Sequence, residues 1–406
     1  MKNIKDIVNI TKGKTQDNEL KHKKMNKKKI IIAISIAVIL LIVGITMLVY
    51  NSSRDARKFL DRYLFRKNIT QEKLDSIELN YDSNTNVFAY NKYICILAEN
   101  KLMEYNSSGK LEKEINLEIN NPVYSVNNKY IAISEKNGSK INLISGADIL
   151  WTKDVDGQIS KINVNNNGYV SAIITGTTHK SVIAIYDKDG NELFKIYRSN
   201  TSVVDSTISN DNKYLAFAEV NTTGTTIQSN VRTISIEKAK EAAEEYITYT
   251  YTADSNKLIL DIEYRDNDKV ICMYDDEIAV IQNENNSTLV SLNEKDKNVN
   301  FANINLENSV YRAIEENDGL FNTNTVLEIR AINSDKTSVY TVEGPAKYIY
   351  SFNNIIAVSL GQEIEFINTN GWLLKSYSST QEVQDVVIGN GIAGIIYQDR
   401  VEIINL

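Results

Sequence analysis

Histidine and cysteine are nearly absent from this chain, with two of each in 406 residues. His22 lies in a lysine-rich head and His179 in a threonine-rich loop. No Ser-His-Asp set can be built beyond residue 50 with a single histidine, and no Cys/His cluster has zinc spacing. Cys95 and Cys272 make at most one bridge, which excludes a disulfide scaffold. Each sits inside a strand-like apolar run, YICIL and VICMY, and both are read as buried, inert thiols. Glycine-rich phosphate loops of the Walker or dinucleotide type are missing too. Carboxylates are so abundant that pairs of them carry no signal for acid–base catalysis. The expectation is a protein that is not an enzyme, with no catalytic residues, no cofactor and no metal.

Charge is missing altogether from Ile30 to Tyr50, a run of 21 residues. About 20 apolar residues suffice for a helix to cross the hydrocarbon core, so a single membrane span is expected. Residues 1–29 hold ten lysines against Asp6, Asp17 and Glu19. Six of those lysines, from Lys21 to Lys29, abut the span, whereas Arg54, Arg57, Lys58 and Arg62 follow it. That asymmetry favours a cytoplasmic N-terminus and a large domain outside. A cleaved signal peptide would have a shorter apolar core and a small-residue cleavage site. This run instead closes on Met47-Leu48-Val49-Tyr50, which suits an uncleaved signal anchor. The lysine head is read as a topology signal that touches anionic lipid, in preference to a nucleic-acid site.

From residue 51 onward the balance reverses, with 35 basic and 49 acidic residues and a net charge of −14. An acidic body argues against nucleic acid as a partner. That body also repeats itself. NKYICIL from Asn91, NKYIAIS from Asn128, NGYVSAI from Asn167 and NKYLAFA from Asn212 share a turn followed by an apolar strand. Weaker copies begin at Asn267, Asn308, Asn353 and Asn390, with spacings of 37 to 55 residues. A strand-rich period near 40–50 residues is the signature of a β-propeller with four strands per blade. Most units carry a second motif, strand-turn-strand around Gly109, Gly146, Gly190 or Gly371, and glycine there permits the positive φ of a tight hairpin. The fold class is therefore all-β. Eight copies predict eight blades, or seven if the copy at Asn308 is an inserted hairpin.

Gly146 to Trp151 resembles the Gly-x-x-x-x-Trp turn of quinoprotein-type repeats. Ser209 to Phe217, SNDNKYLAF, is similar to the Ser-Pro-Asp-Gly-Lys-Tyr-Leu-Ala-Phe strand of TolB-like repeats, with Asn replacing both Pro and Gly. The whole layout resembles an uncharacterised Firmicute family of membrane-anchored propellers, a domain of unknown function. The resemblance implies a fold and a location, and no activity.

The expected organisation is a basic cytoplasmic tail (1–29), a transmembrane helix (30–50), a juxtamembrane stalk (51–75) and a propeller (76–406). Ser53 and the spacing of Ala56, Phe59, Leu60, Tyr63 and Leu64 predict a stalk helix to about Asn68. Glu237 to Glu245 is also helix-favouring and falls in the longest interval between repeats. The last unit supplies only three strands before the chain stops at Leu406, and Ser76–Tyr81 (SIELNY) is the expected donor of the fourth. Asp187 to Glu192 has oxygen ligands around a glycine, as calcium loops do, but Leu193-Phe194-Lys195 leads into a strand, so a hairpin turn is expected. Trp151 and Trp372 are expected to pack between blades. Three function classes remain. Foremost is a membrane-tethered scaffold for envelope proteins, bound to lipid through residues 30–50. A sensor or carrier for a small ligand or glycan comes second, and an enzyme third.

Overall fold

A computed structural model describes residues 27–52, 60, 64, 65, 67–70, 74–79, 85–127, 129–242, 247–318 and 322–406. The chain divides into two compact units, residues 1–66 and 67–406. In the first, Lys27–Ser52 is one α-helix of 26 residues. Its stretch Ile31–Tyr50 has a mean hydropathy of 3.0, long and apolar enough to cross a membrane. The stalk helix expected after it lies almost wholly outside the described residues.

The second unit is an eight-bladed propeller of antiparallel four-stranded sheets. Blades 1 to 7 span residues 86–116, 122–154, 158–198, 202–252, 259–291, 298–342 and 348–378, and blade 8 begins at residue 385. Strands of blades 1 to 7 pair in chain order, and the first strands of neighbouring blades meet around the central channel. Each of the eight sequence repeats is the turn into a second strand plus that strand itself. The weak copy at Asn308 opens Ser309–Asp318, a ten-residue second strand inside a complete blade, so the count is eight and not seven.

Second strands read as unbroken apolar runs because both of their faces are buried. In Tyr93–Ala98, Ile94 and Ile96 pack toward blade 8, while Cys95 and Leu97 pack toward blade 2. The core is accordingly a set of eight layers, one at each junction between blades. Turns into the second strands put Asn91, Asn212 and Asn353 at φ of 53°, 60° and 52°. Asparagine tolerates that left-handed conformation better than most residues with a side chain, so it stands where related repeats carry glycine.

Ring closure follows the expected route. Blade 8 has Asp385–Gly389, Ile392–Ile396 and Arg400–Asn405, and Asp75–Glu78 completes it as the outer strand. Ile77 opposes Val401 and is buried with Ile396 and Ile403. Between blades 7 and 8, Tyr377 donates to Glu402 and Tyr397 Oη donates to Ser379 Oγ at 2.8 Å, while within blade 8 Arg400 Nε donates to Glu402 Oε1 at 2.8 Å. Asn68–Thr70 and Asp75, which the sequence reading placed in the stalk, lie in strands. Asn68–Thr70 pairs in parallel with Leu373–Ser378 as a fifth strand on blade 7, and Lys67 Nζ donates to Leu373 O at 2.5 Å. A three-residue strand has no periodicity to reveal it. The insertion in blade 4 is the helix Ile236–Ala242, whose Ile236 and Ala239 pack with Phe194 and Ile196 of blade 3.

Candidate functional site

The channel opens, on the face bearing the asparagine turns, into a cavity of about 490 Å³. Seven blades contribute to its lining. In blades 3, 4 and 5 the first strand shifts register just after Ile159, Val203 and Ile259. One extra residue re-aims the side chain that follows. The residues delivered beyond each shift are Lys161, Asp205 and Asp261. The same shift in blade 6 delivers Phe301, which packs toward blade 7 instead.

Lys161 Nζ lies 3.0 Å from Asp205 Oδ2 and 3.0 Å from Asp261 Oδ1, so one ammonium joins three blades. Asp205 also accepts from Asn163 Nδ2 at 2.7 Å, its neighbour Ser206 N at 2.8 Å and Ile262 N at 3.1 Å. Burial pushes the Asp205 carboxyl well above the usual range, and its hydrogen bond with Asp261 adds to the rise while Lys161 opposes it. For Asp261, burial acts upward too, but the bonds from Asp205 and Lys161 outweigh it and the carboxyl is held low. The two carboxyls are thus driven apart in acidity, Asp205 being the weaker acid and Asp261 the stronger. Burial alone would lower Lys161, yet the two carboxylates hold its ammonium above the ordinary value.

Neighbouring ties continue the pattern. Arg265 donates to Leu306 O at 3.0 Å and Ile304 O at 2.7 Å, joining blade 5 to the segment after the first strand of blade 6, and pairs with Glu263 at 2.6 Å. Asn165 Nδ2 donates to Asn212 Oδ1 at 2.6 Å, and Asn353 Nδ2 to Asn390 Oδ1 at 2.9 Å. The other arc of the mouth is aromatic. Phe88 and Tyr124 stack with centroids 4.6 Å apart, and Tyr350 and Phe352 of blade 7 line the same cavity.

Residues singled out from sequence fall elsewhere. His179 rests against Tyr197, ring centroids 4.8 Å apart, with Thr178 Oγ1 3.3 Å from Nδ1. Cys95 and Cys272 are fully buried, and burial pushes both thiols up. Asp187 turns its carboxylate inward, accepting from Asp189 N at 2.9 Å and Asn191 N at 2.8 Å, which is a hairpin turn. Trp151 packs between blades as expected, with Nε1 donating to Lys188 O at 3.2 Å. Trp372 does not, being 52% exposed. It follows Gly371 directly and so stands in the turn, whereas Trp151 lies five residues past Gly146. Among the described residues no group of three or more His, Cys, Asp or Glu could hold a metal ion. Lys161, Asp205 and Asp261 were missed from sequence, although the shared pattern of isoleucine or valine two residues before a charge marks all three.

The fold and its polar mouth define an eight-bladed propeller built around a bridged channel. The chain belongs to a family of unknown function, DUF5711, whose model matches residues 65–406. No curated protein matches it. Among solved structures, Sqt1 of Chaetomium thermophilum, bound to the N-terminus of the ribosomal protein L10, has a TM-score of 0.51. It is 11% identical, over 82% of this chain and 100% of that one. BamB from Moraxella catarrhalis has a TM-score of 0.47 and 9% identity, over 82% of this chain and 98% of that one. These likenesses concern the fold alone.

Proposed function

We propose that this chain is a membrane-tethered, non-enzymatic interaction propeller that receives a partner protein at its channel mouth. The apolar helix anchors it, the lysine-rich head stays in the cytoplasm, and the propeller works outside in the cell envelope. The observation that carries this reading is the character of the cavity: open, polar, and assembled from seven blades. Lys161, Asp205, Asp261 and Arg265 are already bonded across blades, so they are held in place for recognition. Binding surfaces gain from such preorganisation because less ordering is needed on contact. A small ligand is the second reading, because about 490 Å³ lies within the usual range for ligand sites. Lining that is mostly polar favours the first, since small-molecule pockets are predominantly apolar.

Photo-cross-linkers placed at Asn166, Asn210 and Asn308 on the mouth, and at Leu111 and Val339 on outer strands, test this in native membranes. Discrete cross-linked partners from the mouth positions alone are expected. Adducts confined to the outer strands would overturn the assignment of the face.

A further inference from the structure

The lining of the mouth is divided by charge as well as by chemistry. Blades 3 to 6 bring five carboxylates, Asp205, Asp261, Glu263, Asp266 and Glu307, against two cations, Lys161 and Arg265. Asp266 is paired with Lys269 at 3.1 Å, which leaves four carboxylates, Asp205, Asp261, Glu263 and Glu307, facing Lys161 and Arg265. Asp261 and Glu263 keep 32% and 40% of their side chains exposed, and Glu307 is exposed at the rim. Blades 7, 1 and 2 lie across the ring and bring Tyr350, Phe352, Phe88 and Tyr124, of which Tyr124 is 37% exposed. Aromatic faces attract cations through the ring quadrupole, and carboxylates attract them directly. An anionic guest would meet repulsion from one arc, and a neutral apolar guest would leave those carboxylates desolvated. The fold already shows what this arc accepts: the ammonium of Lys161 sits 3.0 Å from two carboxylates at once.

We propose that the channel mouth recognises a cationic side chain, lysine or arginine, presented by a partner polypeptide and seated between the carboxylate arc and the aromatic arc. This rests on the interaction reading above and gives the partner its chemistry. Exposed carboxylates steer the cation inward, and Tyr124, stacked on Phe88, closes over it from the other side. Guanidinium suits the position well, since its plane stacks on an aromatic ring while its edge bonds carboxylates.

Full-length protein in phosphatidylcholine nanodiscs, titrated calorimetrically at low salt, tests the proposal. The probes are a penta-arginine peptide, spermidine and a penta-glutamate peptide. Penta-arginine is expected to bind and penta-glutamate to stay unbound. Glu307→Gln combined with Asp261→Asn should weaken the peptide about tenfold, and Tyr124→Ala should do the same. Asp148→Asn, an exposed carboxylate on an outer strand, should change nothing and serves as the folded control. Equal loss with Asp148→Asn would mean a diffuse field and overturn the proposal, as would indifference to Tyr124→Ala. Spermidine binding without peptide binding would replace a polypeptide partner with a free amine. Loss of the cation effect while cross-linking at Asn166 persists would remove this inference and leave the interaction reading standing. Loss of both would remove the two together.

Discussion

Residues that sequence treats alike take different physical roles here, and Trp151 and Trp372 show it well. Trp151 is 8% exposed, bonded to Lys188, and lies beneath Gly190 at φ 79°. A Cβ at Gly190 would come 2.8 Å from Trp151 Cγ. Trp151→Ala should cost about 3–5 kcal/mol in urea unfolding, whereas Trp372→Ala should stay within about 0.5 kcal/mol. Two carboxylates make an opposite pair in their pH dependence. Burial raises Glu219, but bonds from Thr201, Arg232 and Arg198 outweigh it and hold the carboxyl below its ordinary value. Its contribution is therefore present above the ordinary value and lost as pH falls through the lowered one. Asp205 is raised, so its contribution is present at low pH and lost as pH rises through the raised value. Unfolding free energy measured from pH 3 to 9 should consequently lose its acid-side slope in Glu219→Gln and its slope at higher pH in Asp205→Asn. Glu219→Ala should also lower stability at pH 7 by about 3 kcal/mol, because two guanidinium groups lose their buried partner.

Elements depend most on where the ends of the chain go. Without Asp75–Glu78, blade 8 would end on the open edge of Arg400–Asn405, with Val401 and Ile403 uncovered beside Ile94 and Ile96. Unpaired edges forfeit ladder hydrogen bonds and invite aggregation. Ile77→Ala should cost about 2–4 kcal/mol. Deleting residues 75–78 should lower the Tm sharply and raise light scattering on heating. Deleting 67–70, a fifth strand on a blade that is already complete, should lower the Tm only slightly. If both deletions unfolded the propeller equally, closure by Asp75–Glu78 would not be the decisive contact. The eight repeats were legible because each second strand is apolar on both faces, which shows in any alignment of the chain with itself. Asn68–Thr70 was not legible, since three residues pairing with a strand some 300 positions away have no local pattern.

At the scale of the whole molecule, the same polypeptide joins an uncharged helix, Ile31–Tyr50, to a propeller-bearing remainder that carries a net charge of −14 from residue 51 onward. Protease added to intact cells should digest the chain beyond residue 50 and spare a tag on the N-terminus. A protected C-terminal domain would contradict the proposed orientation. Length, hydropathy and the asparagine-led repeats were enough to determine the helix and the closing strand and to narrow the blade count to eight or seven, because these follow from short-range patterns and from the need to pair every strand. The mouth was decided only in three dimensions. Lys161, Asp205 and Asp261 are 44 and 56 residues apart along the chain, and the isoleucine or valine two residues before each does not show that they meet. They meet because each first strand takes one extra residue before its charge and the ring sets those strands side by side around one axis.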